Sequence, residues 1–274
     1  MAAGHQTLLA VKKTVLLPLL FLLLSCTQES SDISISFSVA WHGQPLHCDV
    51  PVDGVSLTDA RLYVSRLVVH STGGDEWPVT LDPDGTWQNE SVGLVDLESG
   101  AGDCLNGSSA DNASIRGRYA GGEISSVSFE IGVPESMNHN DPMTAGVPLN
   151  YTEMHWHWAS GYKFLRAGVA TDADSVFLHL GSSRCEGTIG DILGCRSANR
   201  PRVMLADFDP DRDRVVIDLG LLFDSIDLSN GARSSCMSGP AEAECMSMFD
   251  ALGLAFESGD RISQPRAISA ARDQ

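Results

Sequence analysis

Apolar and polar residues alternate over much of this chain, and this is the pattern of β-strands with one buried face. The clearest case lies near the N-terminus, where small or polar residues separate Ile33, Ile35, Phe37, Val39 and Trp41. Similar stretches predict strands at residues 61–70, 91–97, 124–133, 154–158, 175–180, 202–206 and 214–219. Because Gly, Pro and Asp clusters separate these short strands, the chain is predicted to be all-β, an antiparallel sandwich-like domain.

One short helix is predicted close to the C-terminus. Within residues 241–252, apolar side chains recur at helical spacing: Cys245, Met248, Phe249 and Leu252. No linker or repeat divides the chain, so residues 33–257 are interpreted as one domain. Residues 258–274 are polar, and we expect them to form a frayed tail.

Residues 1–25 have the features of a lipoprotein signal peptide. A positively charged stretch precedes an apolar run that is shorter than the roughly 20 residues needed to span a membrane. The run ends in Leu23-Leu24-Ser25-Cys26, which matches a lipobox. We therefore predict lipidation (palmitate) at Cys26, a tether over residues 26–32, and a membrane-anchored lipoprotein on the periplasmic or outer-membrane side. The alternative is an ordinary secretory signal that contains a chance cysteine.

The remaining cysteines form an even set: Cys48, Cys104, Cys185, Cys195, Cys236 and Cys245. In an exported chain an even set indicates disulfide bonds. Six cysteines can pair in many ways, but the spacing favours two local loops, Cys185–Cys195 and Cys236–Cys245, with Cys48–Cys104 left over. No C-x-x-C pair is present, which argues against a thiolate zinc site or a redox-active motif.

The formal net charge of −18 excludes some partners. An acidic surface repels nucleic acid and anionic lipid headgroups, so we expect no nucleic-acid binding and attachment to the membrane only through the lipid. The chain also lacks a phosphate-binding loop, an HExxH motif and a G-x-S-x-G motif. We therefore expect it not to be an enzyme.

The segment 137–166 concentrates the residues that bind metals. It contains three histidines, three methionines and two tryptophans. Imidazole binds copper, zinc, nickel and iron, while a thioether selects copper(I). If residues 154–158 form a strand, His155 and His157 share one face, and Trp156 and Trp158 share the other. The alternative interpretation is a pair of core tryptophans flanked by surface histidines.

Four stretches of this segment carry a family resemblance: Asn138-His139-Asn140-Asp141-Pro142, Pro148-Leu149-Asn150, Met154-His155-Trp156-His157-Trp158 and residues 161–166. The resemblance continues through His179-Leu180-Gly181 and the six cysteines, so it covers nearly the whole mature chain. On these residues the chain resembles the MbnP family. These are methanobactin-operon partner proteins, also called metallo-mystery-pair four-Cys motif proteins.

The resemblance implies an exported copper-binding protein with a role in copper homeostasis. Its implied partner is a MauG-like di-haem peroxidase (MbnH-type), which oxidises one tryptophan to kynurenine and so creates an aromatic amine that can bind copper. By this resemblance the candidate metal-site residues are His139 and His179 as imidazole ligands, Trp156 or Trp158 as the oxidation site, and Met154 as a soft neighbour. His155 and His157 depart from the family pattern and are either extra ligands or surface residues.

Two other functions fit the same residues. The chain could be a disulfide-braced surface lipoprotein for adhesion or scaffolding, in which the His and Trp cluster is only part of the core. It could also be a carbohydrate-binding module that uses exposed tryptophans as stacking platforms. Copper binding separates the first function from these two.

Overall fold

The computed structural model describes residues 1, 2, 4, 30–105, 107, 109–188, 190–229, 233–239 and 241–272. The predicted lipobox and its Cys26 lie outside the described residues. Among the described helices, none has the length and apolar composition needed to cross a membrane.

Most of the secondary-structure elements along the described chain are strands. The N-terminal half contains β1 (Ser31–Trp41), β2 (Gln44–Pro45), β3 (Ser56–His70), β4 (Glu76–Pro78), β5 (Thr80–Leu81), β6 (Val92–Asp96), β7 (Ser114–Tyr119), β8 (Ser126–Ile131) and α1 (Glu135–Asn138). A 3-10 turn at Thr152–Met154 then leads into β9 (His155–His157), β10 (Gly161–Ala170), β11 (Ser175–Gly181), β12 (Ser183–Thr188), β13 (Asp191–Ser197), β14 (Arg202–Ala206) and β15 (Asp213–Asp218). The chain ends with α2 (Leu219–Leu222), β16 (Arg233–Cys236), α3 (Cys245–Ala251) and β17 (Ile268–Arg272).

Two sheets form the sandwich. The six-stranded sheet has the order β17-β15-β1-β7-β5, with β2 also paired to β1. The nine-stranded sheet has the order β14-β8-β3-β10-β11-β16, with β4 and β6 paired to β3 and β9 paired to β10. Most pairs are antiparallel, but β1 runs parallel to β15, and β11 runs parallel to β16. The strands β12 and β13 form a separate hairpin. The predicted all-β sandwich is confirmed.

The core lies between the two sheets. Leu62, Leu165 and Leu180 stand side by side in register on β3, β10 and β11, and each is at most 2% exposed. Phe37 of β1 meets Phe129 of β8 edge to face, with ring centroids 5.9 Å apart. Each such side chain contributes roughly 1.5–3 kcal/mol by its burial, so this inner face is the main source of stability.

Three disulfides brace the sandwich: Cys48–Cys104, Cys185–Cys195 and Cys236–Cys245. This is the pairing that the spacing favours, and the prediction is confirmed. The second disulfide joins opposite strands of the β12–β13 hairpin. The third joins β16 to the first residue of α3, a helix that lies within the predicted range.

The structure contains strands that the sequence analysis did not predict, β7, β12 and β13 among them, and it differs from the prediction at three further places. The expected strand 154–158 is shorter, because a 3-10 turn occupies its start and β9 has three residues. The strand β10 is absent from the prediction because it is buried on both faces and shows no alternation. The C-terminal chain is not frayed at Ile268–Arg272, since these residues form β17 on the edge of β15, with Ile268 buried.

Candidate metal centre

Residues 134–160, here called the covering segment, lie across the outer face of the nine-stranded sheet. Side chains of that face hold the segment by its backbone carbonyls. The Tyr63 hydroxyl donates to the Pro148 carbonyl at 3.0 Å, and the Tyr162 hydroxyl donates to the Leu149 carbonyl at 2.6 Å. The segment therefore shields the middle of the outer face from solvent.

A row of polar residues lies on the outer face beside and beneath this segment. His179 of β11 pairs in register with Arg166 of β10, which pairs in turn with Arg61 of β3. Arg166 forms an ion pair with Asp59, and Arg61 Nε lies 3.1 Å from Glu98 Oε1. Burial, together with a hydrogen bond to Asp59, raises the pKa of the Glu98 carboxyl. Charges sequestered in this way need partners, and the network supplies them.

His179 is the imidazole of this row. Burial, together with the positive charge of Arg166, lowers the pKa of His179 to about 4. The ring is therefore neutral at neutral pH, which is the form that binds metals. Its Nδ1 atom is buried and has no hydrogen-bond partner. Since buried polar atoms are nearly always paired, His179 has the properties of an available ligand.

Trp156 lies on the same face as His179. Its ring packs against Gly181, where an added Cβ would lie 2.6 Å from the Trp156 Cζ3 atom. Gly181 and His179 are two residues apart on β11, so they face the same side of the sheet. The Trp156 Nε1 atom is buried and, like His179 Nδ1, has no hydrogen-bond partner. The glycine thus makes room for the indole next to the buried imidazole.

His139 directly follows α1 at the start of the covering segment. Its Nδ1 lies 3.2 Å from the Trp158 carbonyl oxygen, which can only accept a hydrogen bond. Nδ1 is therefore the protonated nitrogen, and Nε2 carries the lone pair. The Asn138 amide Nδ2 lies 3.3 Å from Nε2 and donates to it. Metal-binding histidines commonly donate their second ring nitrogen to a carbonyl in this way.

The buried side chain of Asn138 fixes the position of the His139 ring. It is fully buried, and its Oδ1 accepts a hydrogen bond from the backbone N–H of Tyr162 at 3.2 Å, which orients the amide nitrogen toward His139. The adjacent Gly161 has a φ of +73°, and a Cβ there would lie 2.2 Å from the Asn138 carbonyl oxygen. The turn that holds His139 therefore depends on a glycine at residue 161.

His155 and His157 occupy different environments. His155 is half-buried against Tyr162, with ring centroids 5.0 Å apart, and its Nε2 atom has no hydrogen-bond partner. Burial lowers the pKa of His155. His157 is exposed and bonded locally: the Ala159 N–H donates to Nδ1, and Ser160 Oγ lies 3.2 Å from Nε2. His155 is thus the more available ligand of the two.

The remaining predicted residues, Met154 and Trp158, have no described hydrogen bond or ring contact with His179. Met154 is fully buried in the core cluster. Trp158 is 40% exposed, and its carbonyl holds His139. In the described part of the chain, no hydrogen bond or ring contact joins Met154 to either His139 or His179. The Trp158 indole is therefore less enclosed than that of Trp156.

The covering segment links the two preferred histidines, although no described hydrogen bond or ring contact joins His139 directly to His179. Trp156 packs against Gly181, on the sheet face that also bears His179, and two residues later the Trp158 carbonyl holds His139. Three buried nitrogens without hydrogen bonds lie on this segment and on β11: His155 Nε2, Trp156 Nε1 and His179 Nδ1. The neutral His179 imidazole on the same face as an aromatic amine precursor, together with the Nε2 atom of His139, offers nitrogen donors that suit copper.

Trp156 also lines an open cleft of about 340 Å³, together with His157, Ser160, Ser183 and Met237. One side of this indole is therefore reachable from solvent, while its Nε1 is buried. Sequence reasoning assigned no role to Asn138, Gly181 or the Arg166 network. Asn138, Gly181 and Arg166 itself all lie within the stretches that carry the family resemblance, which is the only signal the sequence offered for them.

Comparisons with known proteins agree on one family. The model of the MbnP family matches residues 30–238. Among solved structures, "MbnP from Methylosinus trichosporium" is similar to this chain with a TM-score of 0.79 and 26% sequence identity. The match covers 90% of this chain and 100% of that one. No curated protein matches the sequence.

Proposed function

Because the chain belongs to the MbnP family, we propose that it is an exported copper-binding lipoprotein that acts in copper homeostasis. The proposed ligands are His139, His179 and a kynurenine formed from Trp156. The observation that carries this proposal is the position of Trp156, whose unpaired Nε1 lies buried on the face of the sheet that also bears His179.

Trp156 is a better oxidation site than Trp158. Conversion of tryptophan to kynurenine removes one carbon, adds one oxygen and leaves an aromatic amine. At Trp156 this amine forms beside the neutral His179 ring, whereas Trp158 is 40% exposed. Copper, when bound, is held by nitrogen donors that need no deprotonation at neutral pH.

His139 supplies the second imidazole through Nε2. Its Nδ1–H is fixed by the Trp158 carbonyl, so the lone pair on Nε2 has a set direction. The weak 3.3 Å bond from Asn138 is the interaction that a metal ion replaces. His155, with an unpaired buried Nε2, is the next candidate ligand.

The proposed partner is a di-haem peroxidase of the MauG-like type. The family membership supports this partner, and the open cleft beside Trp156 gives an electron acceptor a surface to approach. We assign no catalytic role to the chain itself, which is the substrate of this oxidation. Lipidation at Cys26 is proposed from the lipobox and would anchor the protein to a membrane. Stable anchoring needs more than one acyl chain.

The test is to express the chain with and without a di-haem peroxidase of the MauG-like type, and to compare intact mass, peptide mass spectra and copper titrations. We expect the co-expressed protein to carry one oxidised Trp156 and to bind one copper tightly, and the protein made alone to bind copper weakly. Trp156→Phe should abolish both the modification and tight binding, whereas the matched Trp158→Phe should keep both. Tight copper binding by Trp156→Phe would contradict the ligand set.

A further inference from the structure

The three disulfides differ in exposure. The sulfur-bearing residues of two of them are at most 5% exposed: Cys48, Cys104, Cys236 and Cys245. Cys185 and Cys195 are half-exposed on the β12–β13 hairpin. Since thiol–disulfide exchange requires a thiolate to reach a sulfur atom, a reductant attacks Cys185–Cys195 first.

The exposed disulfide lies against His139. Cys195 Sγ is 3.4 Å from His139 Nε2, the nitrogen that carries the lone pair. The ligand atoms of His139, Cys185 and Cys195 all lie within 4.8 Å of one another. While the sulfurs are bonded to each other they are poor metal donors, but as thiolates they are strong ones.

We propose that reduction of Cys185–Cys195 creates a second metal site, in which the two thiolates and His139 Nε2 bind a thiophilic cation, copper(I). The two cysteines are directly opposite each other in the hairpin register. Their Cα atoms are 3.8 Å apart, so the two sulfurs stay close once the S–S bond is broken, and rotation about each Cα–Cβ bond lets them separate enough to bind one ion.

The redox step is an exchange with a dithiol of the thioredoxin class. The dithiol gives two electrons and two protons to the Cys185–Cys195 bond and itself becomes a disulfide. The protein gains two thiols, and copper(I) then displaces their protons as it binds. Copper(I) fits better than zinc, because zinc seeks four ligands. The nearest further donor, Glu135 Oε1, is 3.7 Å from His139 Nε2, and the other oxygen of that carboxylate is bound to Arg200 at 2.8 Å.

This site shares His139 with the kynurenine site but needs neither His179 nor an oxidised tryptophan. The two sites exclude each other, because one Nε2 lone pair binds one ion. Whether the Cys185–Cys195 disulfide is oxidised or reduced would then decide which of the two metal sites uses His139.

The experiment uses the full chain made without the peroxidase and carrying His179→Ala, which disables the other ligand set. The protein is treated with dithiothreitol, desalted without oxygen, and titrated with copper(I) against the chelator bicinchoninate. Alkylation followed by peptide mass spectrometry identifies the disulfide that has opened. We expect a gain of one copper(I) per chain on reduction, with Cys185 and Cys195 alkylated in the absence of copper and protected in its presence.

His139→Ala and Cys185→Ser/Cys195→Ser should each lose this gain, while the matched control His47→Ala, at an exposed histidine far along the chain, should keep it. The single variant Cys185→Ser needs no reductant, and its free Cys195 beside His139 should bind copper(I) more tightly than the double serine variant. Equal copper(I) binding by the single and double variants, or preference of the reduced chain for zinc, would overturn the proposal. If the proposed kynurenine site proves wrong, all of these expected results stay the same.

Discussion

The two faces of the nine-stranded sheet are made by the same strands, yet they differ in nearly every physical respect. The inner face of β3, β10 and β11 presents Leu62, Leu165 and Leu180, which need no polar partner. The outer face of the same strands presents Arg61, Arg166 and His179. A sandwich needs only the inner face for its core.

This contrast indicates that the polar outer face does not serve the stability of the fold. Buried ion pairs rarely stabilise a fold more than apolar residues of the same size would. On the outer face, charged groups and unpaired ring nitrogens are sheltered by the covering segment, and two of the candidate copper-site residues, His179 and Trp156, lie there. The inner face should therefore govern stability and the outer face metal binding.

The largest expected effect comes from the inner face. Phe129→Ala removes a ring that is 1% exposed and that packs on Phe37. We expect a loss of about 3–5 kcal/mol in the free energy of unfolding, measured by urea denaturation. The copper bound per folded molecule should not change. Loss of copper from the folded variant would show that the two faces are coupled.

Removing both charges of the buried ion pair between Arg166 and Asp59 should destabilise the fold less than removing only one of them. Arg166→Met leaves the buried Asp59 carboxylate with only the more distant Arg61, whose Nε is 3.9 Å away, and we expect a loss of about 3 kcal/mol. Adding Asp59→Leu should restore most of that stability, because both charges are then gone. A double variant no more stable than the single one would mean that the outer face does stabilise the fold.

Gly181→Ala tests the contact that places Trp156. The added Cβ would lie 2.6 Å from the indole, so the ring must move, at an expected cost of about 1–3 kcal/mol. We also expect a shift in tryptophan fluorescence and a loss of tight copper binding in the matured protein. The matched control is Gly146→Ala in the covering segment, where nothing lies within 4 Å of the added atom. If Gly146→Ala changes copper binding as much as Gly181→Ala, the contact is not specific.

The smallest effect is a pH dependence at His179. Its folded pKa of about 4 is below the ordinary 6.5, so the unfolded chain binds the proton more strongly. Stability should therefore fall as the pH drops from 6.5 to about 4, and this contribution should level off below that. His179→Gln should lessen the fall within that window, measured as the difference between the two urea midpoints. Identical pH profiles would show that His179 is not buried in its neutral form.

Sequence alone predicted β1, whose burial is one-sided, but it missed β7, which alternates in the same way. β1 shows clean alternation because only one of its faces meets the core, whereas β10 lies between β3 and β11, is buried on both faces, and therefore shows none. β17 has a largely exposed, polar sequence, and it is held by pairing with a strand far away in sequence. Pairing of this kind leaves no local pattern in the sequence from which the strand could be predicted.

The residues of the candidate site could also be predicted only in part from the sequence. His139, His179 and the two tryptophans could be named through the family resemblance, and the local disulfides could be named from their spacing. The role of Gly181 could not, because it depends on which indole packs against β11. The same holds for Asn138, which acts through the backbone of Tyr162 on a different element.

The start of β1 at Ser31 limits the reach of the whole domain. Five residue steps separate Ser31 from Cys26, and a fully extended chain spans about 3.4 Å per step, so an acylated Cys26 would hold this strand within roughly 17 Å of the bilayer. The net charge of −18 repels an anionic leaflet over about one Debye length, roughly 8 Å at physiological salt. If Cys26 is acylated, the tether would pull the domain in while its charge pushes it out, and the domain would stand at a nearly fixed height. The proposed haem partner would then have to work at that height rather than in free solution.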